Sequence, residues 1–174
     1  MNKWMIVFAC LALLNPARAG DTNDGANRYV QKHLLPTGQV AVVAEGDLEP
    51  RSIGSYSIRI YSNEDKKFPT DDFICGIIET RDGSVENVTF ADINQDKIKE
   101  LIVTLRCVGA SSTLSADAYS FKDNQLVKVA TLSDQPKDAD CVKALISQCK
   151  KEAKQDADAQ AKGQDDAKAQ TREK

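Results

Sequence analysis

Alternating apolar and polar positions dominate the middle of the chain and predict short β-strands. Tyr56, Ile58 and Ile60 recur at every second position, which is the period of a strand with one buried face. Residues 101–105 instead form a nearly continuous apolar run, which is typical of a central strand. Seven or eight such segments alternate with turn-forming residues. The pattern therefore predicts an all-β antiparallel meander, folded as a single sheet or a small sandwich.

Turn-forming residues divide these segments into hairpins. A Pro-Thr-Gly turn at residues 36–38 interrupts the segment 28–44, so we expect a hairpin here, with a short helix over residues 29–35 as the alternative. The pair Asp82-Gly83 follows another strand segment. Because Asp-Gly is a strong hairpin signal, we expect that strand to pair with the one after it.

The pattern changes near the C-terminus. Val142, Leu145 and Ile146 recur at helical spacing and predict a short helix that packs on the sheet. Residues 150–174 contain no Val, Ile, Leu or aromatic residue. They have nothing to bury, so we expect a disordered or loosely helical tail. The folded domain therefore spans residues 28–149.

The N-terminus has the form of a secretory signal peptide. Lys3 precedes the apolar residues 5–14, and an Ala-x-Ala pattern ends at Ala19. The apolar run is too short to anchor the chain in a membrane, and no later stretch is apolar enough to do so. We therefore expect residues 1–19 to be removed on export, and residues 20–27 to form a flexible leader.

Export leaves four cysteines in the mature chain: Cys75, Cys107, Cys141 and Cys149. An even number in an oxidising compartment predicts a disulfide framework, with three possible connectivities. In an unbroken helix, Cys141 and Cys149 would lie about 12 Å apart along the axis, which a disulfide cannot span. Either that segment bends, or each of the two pairs with Cys75 or Cys107. The absence of a Cys-x-x-Cys pair argues against a zinc site.

Charge and residue content exclude several classes of function. Loss of Lys3 and Arg18 with the signal peptide changes the formal net charge from −3 to −5, which does not suit nucleic-acid binding. His33 is the only histidine, so no Ser-His-Asp or Cys-His arrangement can be assembled elsewhere in the fold. No pair of carboxylates stands isolated in an apolar segment. We therefore predict that the protein is not an enzyme.

A polar turn precedes the central strand. Side-chain oxygens recur here at the first, third, fifth and ninth positions of a loop: Asp92, Asn94, Asp96 and Glu100. With the carbonyl of Ile98, this set would suit Ca²⁺, which takes six to eight oxygen ligands. Lys97, however, occupies the sixth position, where such loops usually need glycine for a positive φ. The default interpretation is a side-chain-capped turn that requires no cofactor, and Ca²⁺ is the alternative.

Two loops are rich in hydroxyl groups and poor in bulky side chains. One contains Ser52, Ser55 and Tyr56, and the other spans residues 109–113. A loop of this kind, projecting from a rigid sheet, can enter the cleft of a partner and donate hydrogen bonds to carboxylates there. Composition alone favours simple strand connections for both.

Three segments resemble a known family. They read VAEGDLEPRSIGSYSIRIY from residue 43, ADINQD from residue 91 with ELIV from residue 100, and VG at residue 108 with LSADAY from residue 114. These motifs are similar to those of the PliI-like proteins, the periplasmic inhibitors of invertebrate-type (I-type) lysozyme. The similarity extends from about residue 29 to about residue 145. It implies an all-β fold, a Gram-negative periplasm, and a loop that enters the active-site cleft of the lysozyme.

The inserted loop of that family typically reads Ser-Gly-x-Tyr, and its Ser and Tyr contact the enzyme. The matching positions here are Ala110, Ser111, Ser112 and Thr113. Both key positions depart from the family pattern, because Ala110 lacks a hydroxyl and Thr113 lacks the aromatic ring of Tyr. The hydroxyls of Ser111, Ser112 and Thr113 are the candidates to replace them.

The resemblance therefore predicts a secreted lysozyme inhibitor whose partner is I-type lysozyme. Cys107, next to the inserted loop, would stiffen it and lower the entropic cost of insertion. The alternative is a calcium-stabilised periplasmic binding or adhesion module without inhibitory activity. Either protein is compatible with a homodimer.

Overall fold

The computed structural model describes residues 28–109 and 112–170, with side chains to residue 155. These residues form eight strands followed by one helix. The strands are β1 (Val30–Leu34), β2 (Val40–Glu45), β3 (Ile53–Tyr61), β4 (Phe73–Asp82), β5 (Ser84–Ala91), β6 (Glu100–Arg106), β7 (Leu114–Lys122) and β8 (Gln125–Gln135), and the helix is α1 (Cys141–Gln170).

The strands form two antiparallel sheets of four strands each, in the orders β1-β2-β3-β4 and β5-β6-β7-β8. A buried core lies between the sheets. Its residues are Leu35, Ala41, Val43, Tyr56, Ile58, Ile60, Val85, Val88, Leu101, Val103, Leu105 and Tyr119. The predicted all-β meander is confirmed, and it takes the form of a sandwich.

The predicted central strand is β6, which is buried on both faces. Val103 belongs to the core between the sheets, whereas Ile102 packs beneath α1, and both are fully buried. Cys141 and Leu145 of α1 cover this outer face of the second sheet. Alternate side chains of this strand face the two layers, so a strand that lies between two layers is apolar at most positions. This explains the continuous run in the sequence.

Helix α1 begins after Asp140, whose Oδ1 accepts a hydrogen bond of 3.1 Å from the backbone N–H of Lys143. This is the N-cap arrangement that carboxylate side chains favour. The helix continues to Gln170, well past Cys149, where the apolar positions end. Residues 150–170 continue this helix without a Val, Ile, Leu or aromatic residue to bury. Ala, Lys, Gln and Glu, which are frequent here, have high helix propensity. None of the described helices is long and apolar enough to cross a membrane.

The predicted hairpin between β1 and β2 is confirmed, and residues 29–35 are not helical. The prediction of a hairpin at Asp82-Gly83 is wrong. Strand β4 ends the first sheet and β5 begins the second, so Gly83 carries the chain across the sandwich. The turn signal was correct about conformation, since Gly83 has a φ of 96°. It could not reveal strand pairing, because a positive φ does not specify whether the strands before and after the turn pair with each other.

The predicted disulfide framework is not observed, because all four cysteines among the described residues carry free thiols. Cys75 packs against the core between the sheets, whereas Cys141 and Cys149 belong to the cluster beneath α1. The second sheet therefore separates Cys75 from the other two. Helix α1 is unbroken between Cys141 and Cys149, which keeps them out of bonding distance.

Candidate functional site

Three connections converge at one end of the sandwich, which we call the loop end. They are the β2–β3 loop (residues 46–52), Gly83 between β4 and β5, and the β6–β7 loop (residues 107–113). The backbone N–H of Gly83 donates to the carbonyl of Ser52 at 2.8 Å, and the Sγ of Cys107 lies 3.5 Å from the carbonyl of Asp82. The structure therefore brings together the two hydroxyl-rich loops that the sequence placed far apart.

The β6–β7 loop has a closed base. The N–H of Cys107 donates to the carbonyl of Thr113 at 2.9 Å, and the N–H of Ser112 donates to the carbonyl of Gly109 at 3.2 Å. Ser112 has a φ of 47°. Ser112 and Thr113 are half-buried, whereas the candidate contacts Ala110 and Ser111 lie outside the described residues. The base holds the two ends of the loop together.

Arg106 fixes this loop to its surroundings. Its guanidinium forms an ion pair with the Glu86 carboxylate, with Nη2 2.7 Å from Oε1. It also donates to the carbonyl of Ser112 at 3.1 Å and to that of Lys137 at 3.4 Å. The hydrogen bonds with Glu86 raise the pKa of Arg106. One side chain thus ties the loop to β5 and to the segment that leads into α1.

The neighbouring β2–β3 loop is held by a buried cation. The side chain of Arg81 is fully buried and donates to the carbonyls of Pro50 at 3.1 Å, Arg51 at 2.8 Å and Ser55 at 2.9 Å, as well as to Gly83. A buried charge is tolerated only when its donors are satisfied. Here backbone carbonyls satisfy them, and those of Pro50 and Arg51 lie in the loop. The conformation of the loop and the burial of Arg81 therefore depend on each other.

Glu49 also fixes this loop, and its Oε2 lies 3.8 Å from Nη2 of Arg81. Its carboxylate accepts hydrogen bonds from the N–H of Ser55 at 2.5 Å and from the Oγ of Ser55 at 2.7 Å. These two bonds, with weaker contributions from Arg81 and Arg28, lower the pKa of Glu49 below its usual 4.5. The Ser55 hydroxyl is therefore engaged within the protein.

The structure corrects the second candidate loop. Tyr56 is fully buried. Its hydroxyl donates to Asp117 Oδ2 at 2.6 Å and lies 2.5 Å from the hydroxyl of Tyr119, and burial raises its pKa. Tyr56 is a core residue that cannot contact a partner, and Ser55 serves Glu49. Of the three predicted residues, only Ser52 is exposed.

Sequence patterns did not identify Arg81 or Arg106 as part of this site. Arg81 donates to backbone carbonyls about thirty residues away, and Arg106 donates to the Glu86 carboxylate and to the carbonyls of Ser112 and Lys137. Backbone carbonyls carry no side-chain signature, and a distant carboxylate cannot be paired with its partner from the sequence. The alternation of β3 had already assigned Tyr56 to the buried face. Tyr56 was nevertheless also assigned to the loop because it carries a hydroxyl. The boundary between a loop of small residues and the next strand is hard to place from sequence.

The β5–β6 loop (residues 92–99) lies at the opposite end of β6. Asp92 accepts backbone hydrogen bonds from Gln95 at 2.6 Å and Lys97 at 3.0 Å. Asn94 and Asp96 each accept one from the residue two positions further on, at 3.0 and 2.8 Å. The side chains thus cap a tight turn. Within residues 28–109 and 112–155, no three His, Cys, Asp or Glu side chains converge as metal ligands.

Comparison with known proteins identifies the family of the chain. Residues 27–149 match the family model of PliI, the periplasmic lysozyme inhibitor of I-type lysozyme. The crystal structure of PliI from Aeromonas hydrophila shares 39% identity over 67% of this chain and 98% of its own, with a TM-score of 0.63. The structure of Aeromonas hydrophila PliI in complex with Meretrix lusoria lysozyme gives the same identity and TM-score over 94% of its length.

A comparison with curated proteins gives no significant match. The family match covers most of the chain and contains all eight strands. It confirms the resemblance inferred from sequence motifs, as well as the prediction that the chain is not an enzyme, because the family consists of proteinaceous inhibitors. The chain belongs to the family of periplasmic inhibitors of I-type lysozyme.

Proposed function

We propose that the protein is a periplasmic inhibitor of I-type lysozyme and that its loop end occupies the active-site cleft of the enzyme. The observation that carries this proposal is the similarity to PliI, which has been crystallised with a lysozyme, over nearly the whole length of that protein. The signal peptide predicted at residues 1–19 agrees with a periplasmic family. We therefore propose export across the inner membrane of a Gram-negative bacterium.

The β6–β7 loop is the proposed inhibitory element. Glycoside hydrolases depend on a pair of carboxyl groups that flank the scissile bond. Hydroxyl groups donate hydrogen bonds to carboxylates, so Ser111, Ser112 and Thr113 would engage this pair and exclude substrate. Residues 109–113 include no Tyr that could fill the cleft. Because the side chains of this loop are small, its hydroxyls and backbone groups would make the contacts with the enzyme.

The surroundings of the loop favour insertion without a large entropic cost. The backbone hydrogen bond from Cys107 to Thr113 closes the base of the loop, and Arg106 donates a hydrogen bond to the carbonyl of Ser112. A loop whose base is already fixed loses less conformational freedom on binding. The anchoring therefore compensates in part for the missing Tyr.

The proposal is tested by titrating I-type, chicken-type and goose-type lysozymes with the purified protein and measuring lysis of bacterial cell walls. We expect stoichiometric inhibition of the I-type enzyme. Changing Ser111, Ser112 and Thr113 to Gly should weaken inhibition about tenfold or more, since two or three hydrogen bonds to charged groups are lost. The matched control is Thr37→Gly, which removes an exposed hydroxyl from the β1–β2 turn. Inhibition that is absent for every type, or unchanged in the triple variant, would contradict the proposal.

A further inference from the structure

We infer that the β5–β6 loop is a Ca²⁺ site that clamps the start of β6, at the end of the sandwich opposite the loop end. The proposed ligands are the side-chain oxygens of Asp92, Asn94, Asp96 and Glu100 together with the carbonyl oxygen of Ile98. This inference is independent of lysozyme inhibition, because the two loops are attached to opposite ends of β6.

The observation that points to a ligand is a buried, unpartnered carboxylate oxygen. Glu100 is fully buried. Its Oε2 accepts a hydrogen bond of 3.0 Å from the N–H of Ile93, which directs the carboxylate back against the loop. Its Oε1 is buried and has no hydrogen-bond partner. A buried carboxylate oxygen without a donor is costly, and a bound cation would satisfy it.

The other charges around Glu100 make the cost larger. Burial raises the pKa of its carboxyl, and the negative charges of Asp96 and Asp92 add to this effect. Among the described ion pairs, none involves any of these three carboxylates. Three acidic groups without a cationic partner are the usual environment of a divalent cation.

The backbone of the loop already has the conformation that the sixth position requires. Lys97 has a φ of 72° and Gln95 a φ of 69°. Residue 97 therefore adopts the left-handed conformation that glycine usually provides. The objection that the sequence raised against calcium is thus removed, because Lys97 occupies the required conformation without being glycine.

Binding requires two local changes in the loop. Asp96 Oδ2 is 3.1 Å from the side-chain nitrogen of Asn94, and the carboxylates of the described chain do not yet converge. Rotation of the Asn94 amide and release of Asp96 would free both side chains to act as ligands. Asp92 needs no such change, since the N–H groups of Gln95 and Lys97 already orient its carboxylate.

The ligand set selects calcium over magnesium. Five protein groups with one or two waters give the six to eight oxygens that Ca²⁺ accepts in irregular geometry, whereas Mg²⁺ demands a near-ideal octahedron. A loop that must rearrange binds weakly, so we expect a dissociation constant of about 10⁻⁴–10⁻³ M, as in extracellular calcium modules.

The test measures the melting temperature of the purified protein with about 10 mM Ca²⁺, with Mg²⁺, and with a chelator, alongside calorimetric titration with Ca²⁺. We expect Ca²⁺ to raise the melting temperature by about 5 °C and Mg²⁺ to have a much smaller effect. Asp96→Asn retains the side-chain oxygen that caps Ile98, so it should fold normally in chelator but bind Ca²⁺ about tenfold more weakly. The same loss is expected for Glu100→Gln.

The matched control is Asp65→Asn. Asp65 also caps a turn, by accepting the N–H of Lys67 at 2.8 Å, but no other carboxylate is proposed to act with it. It should retain the full response to Ca²⁺. A wild-type protein that shows no calcium response, or a response that survives in both Asp96→Asn and Glu100→Gln, would overturn the inference. Lysozyme inhibition measured in chelator tests the proposed function separately.

Discussion

At the scale of single residues, the loop end is organised by charged side chains that serve the protein itself. Arg81 is buried because four backbone carbonyls, two of them in the β2–β3 loop, accept its donors, and Glu49 accepts both donors of Ser55. Their effect is to fix the loop backbone, and thereby the surface that faces a partner. Hydroxyl-rich composition alone pointed to this loop, but it did not reveal which polar groups are engaged internally.

Glu49 gives a pH-dependent contribution to stability. Its pKa is lower in the folded protein than its usual 4.5, so its contribution is present above that pH and is lost as the pH falls through the folded-state pKa. We expect Glu49→Gln to be less stable than wild type near neutral pH, and the difference to shrink as the pH falls below 4.5. The measurement is the free energy of unfolding in urea for both proteins, from neutral pH to below 4.5.

The control for this experiment is Glu64→Gln, which removes an exposed carboxylate from the β3–β4 connection. It should leave the pH dependence of stability unchanged. A difference between wild type and Glu49→Gln that stays constant with pH would show that the Ser55 contacts do not depend on the charge.

At the scale of elements, the strands were predictable because each buries one face or two. The period-two pattern of β3 and the apolar run of β6 follow directly from their places in the layers. The passage from β4 to β5 was not predictable, since Asp82-Gly83 carries the same signal whether the next strand pairs or changes sheet. Apolar spacing predicted the packed turns of α1, but it carries no information about the turns that extend beyond the sheet.

We expect a side chain at Gly83 to destabilise the connection between β4 and β5. Gly83 has a φ of 96°, and a Cβ placed on it would lie 1.9 Å from the carbonyl oxygen of Arg106. We expect Gly83→Ala to reduce the free energy of unfolding by about 2–4 kcal/mol, since both the conformation and the contact are strained. Gly109→Ala is the control, because a Cβ added there would meet no atom within 4 Å. Equal stability of the two variants in urea would refute the account of this crossing.

At the scale of the whole molecule, strand β6 links two ends with different tasks. Its C-terminal end carries Arg106 and the proposed inhibitory loop, and its N-terminal end carries Glu100 and the proposed cation site. Family membership covers residues 27–149, so both ends lie within the matched domain. The sequence motifs could identify the family, but the altered positions 110 and 113 could not be judged from the motif. The loop is supported by Arg106, which joins the carbonyl of Ser112 to Glu86 and Lys137.

The central claim is that the loop end occupies the active-site cleft of I-type lysozyme. The most direct measurement is calorimetric titration of the I-type enzyme with the protein, alone and in the presence of a saturating oligosaccharide that fills the same cleft. We predict a complex of one inhibitor with one enzyme, whose apparent affinity falls in proportion to the oligosaccharide added. Binding whose affinity is unaffected by the oligosaccharide would contradict the account, because the protein would then contact the lysozyme outside its active site.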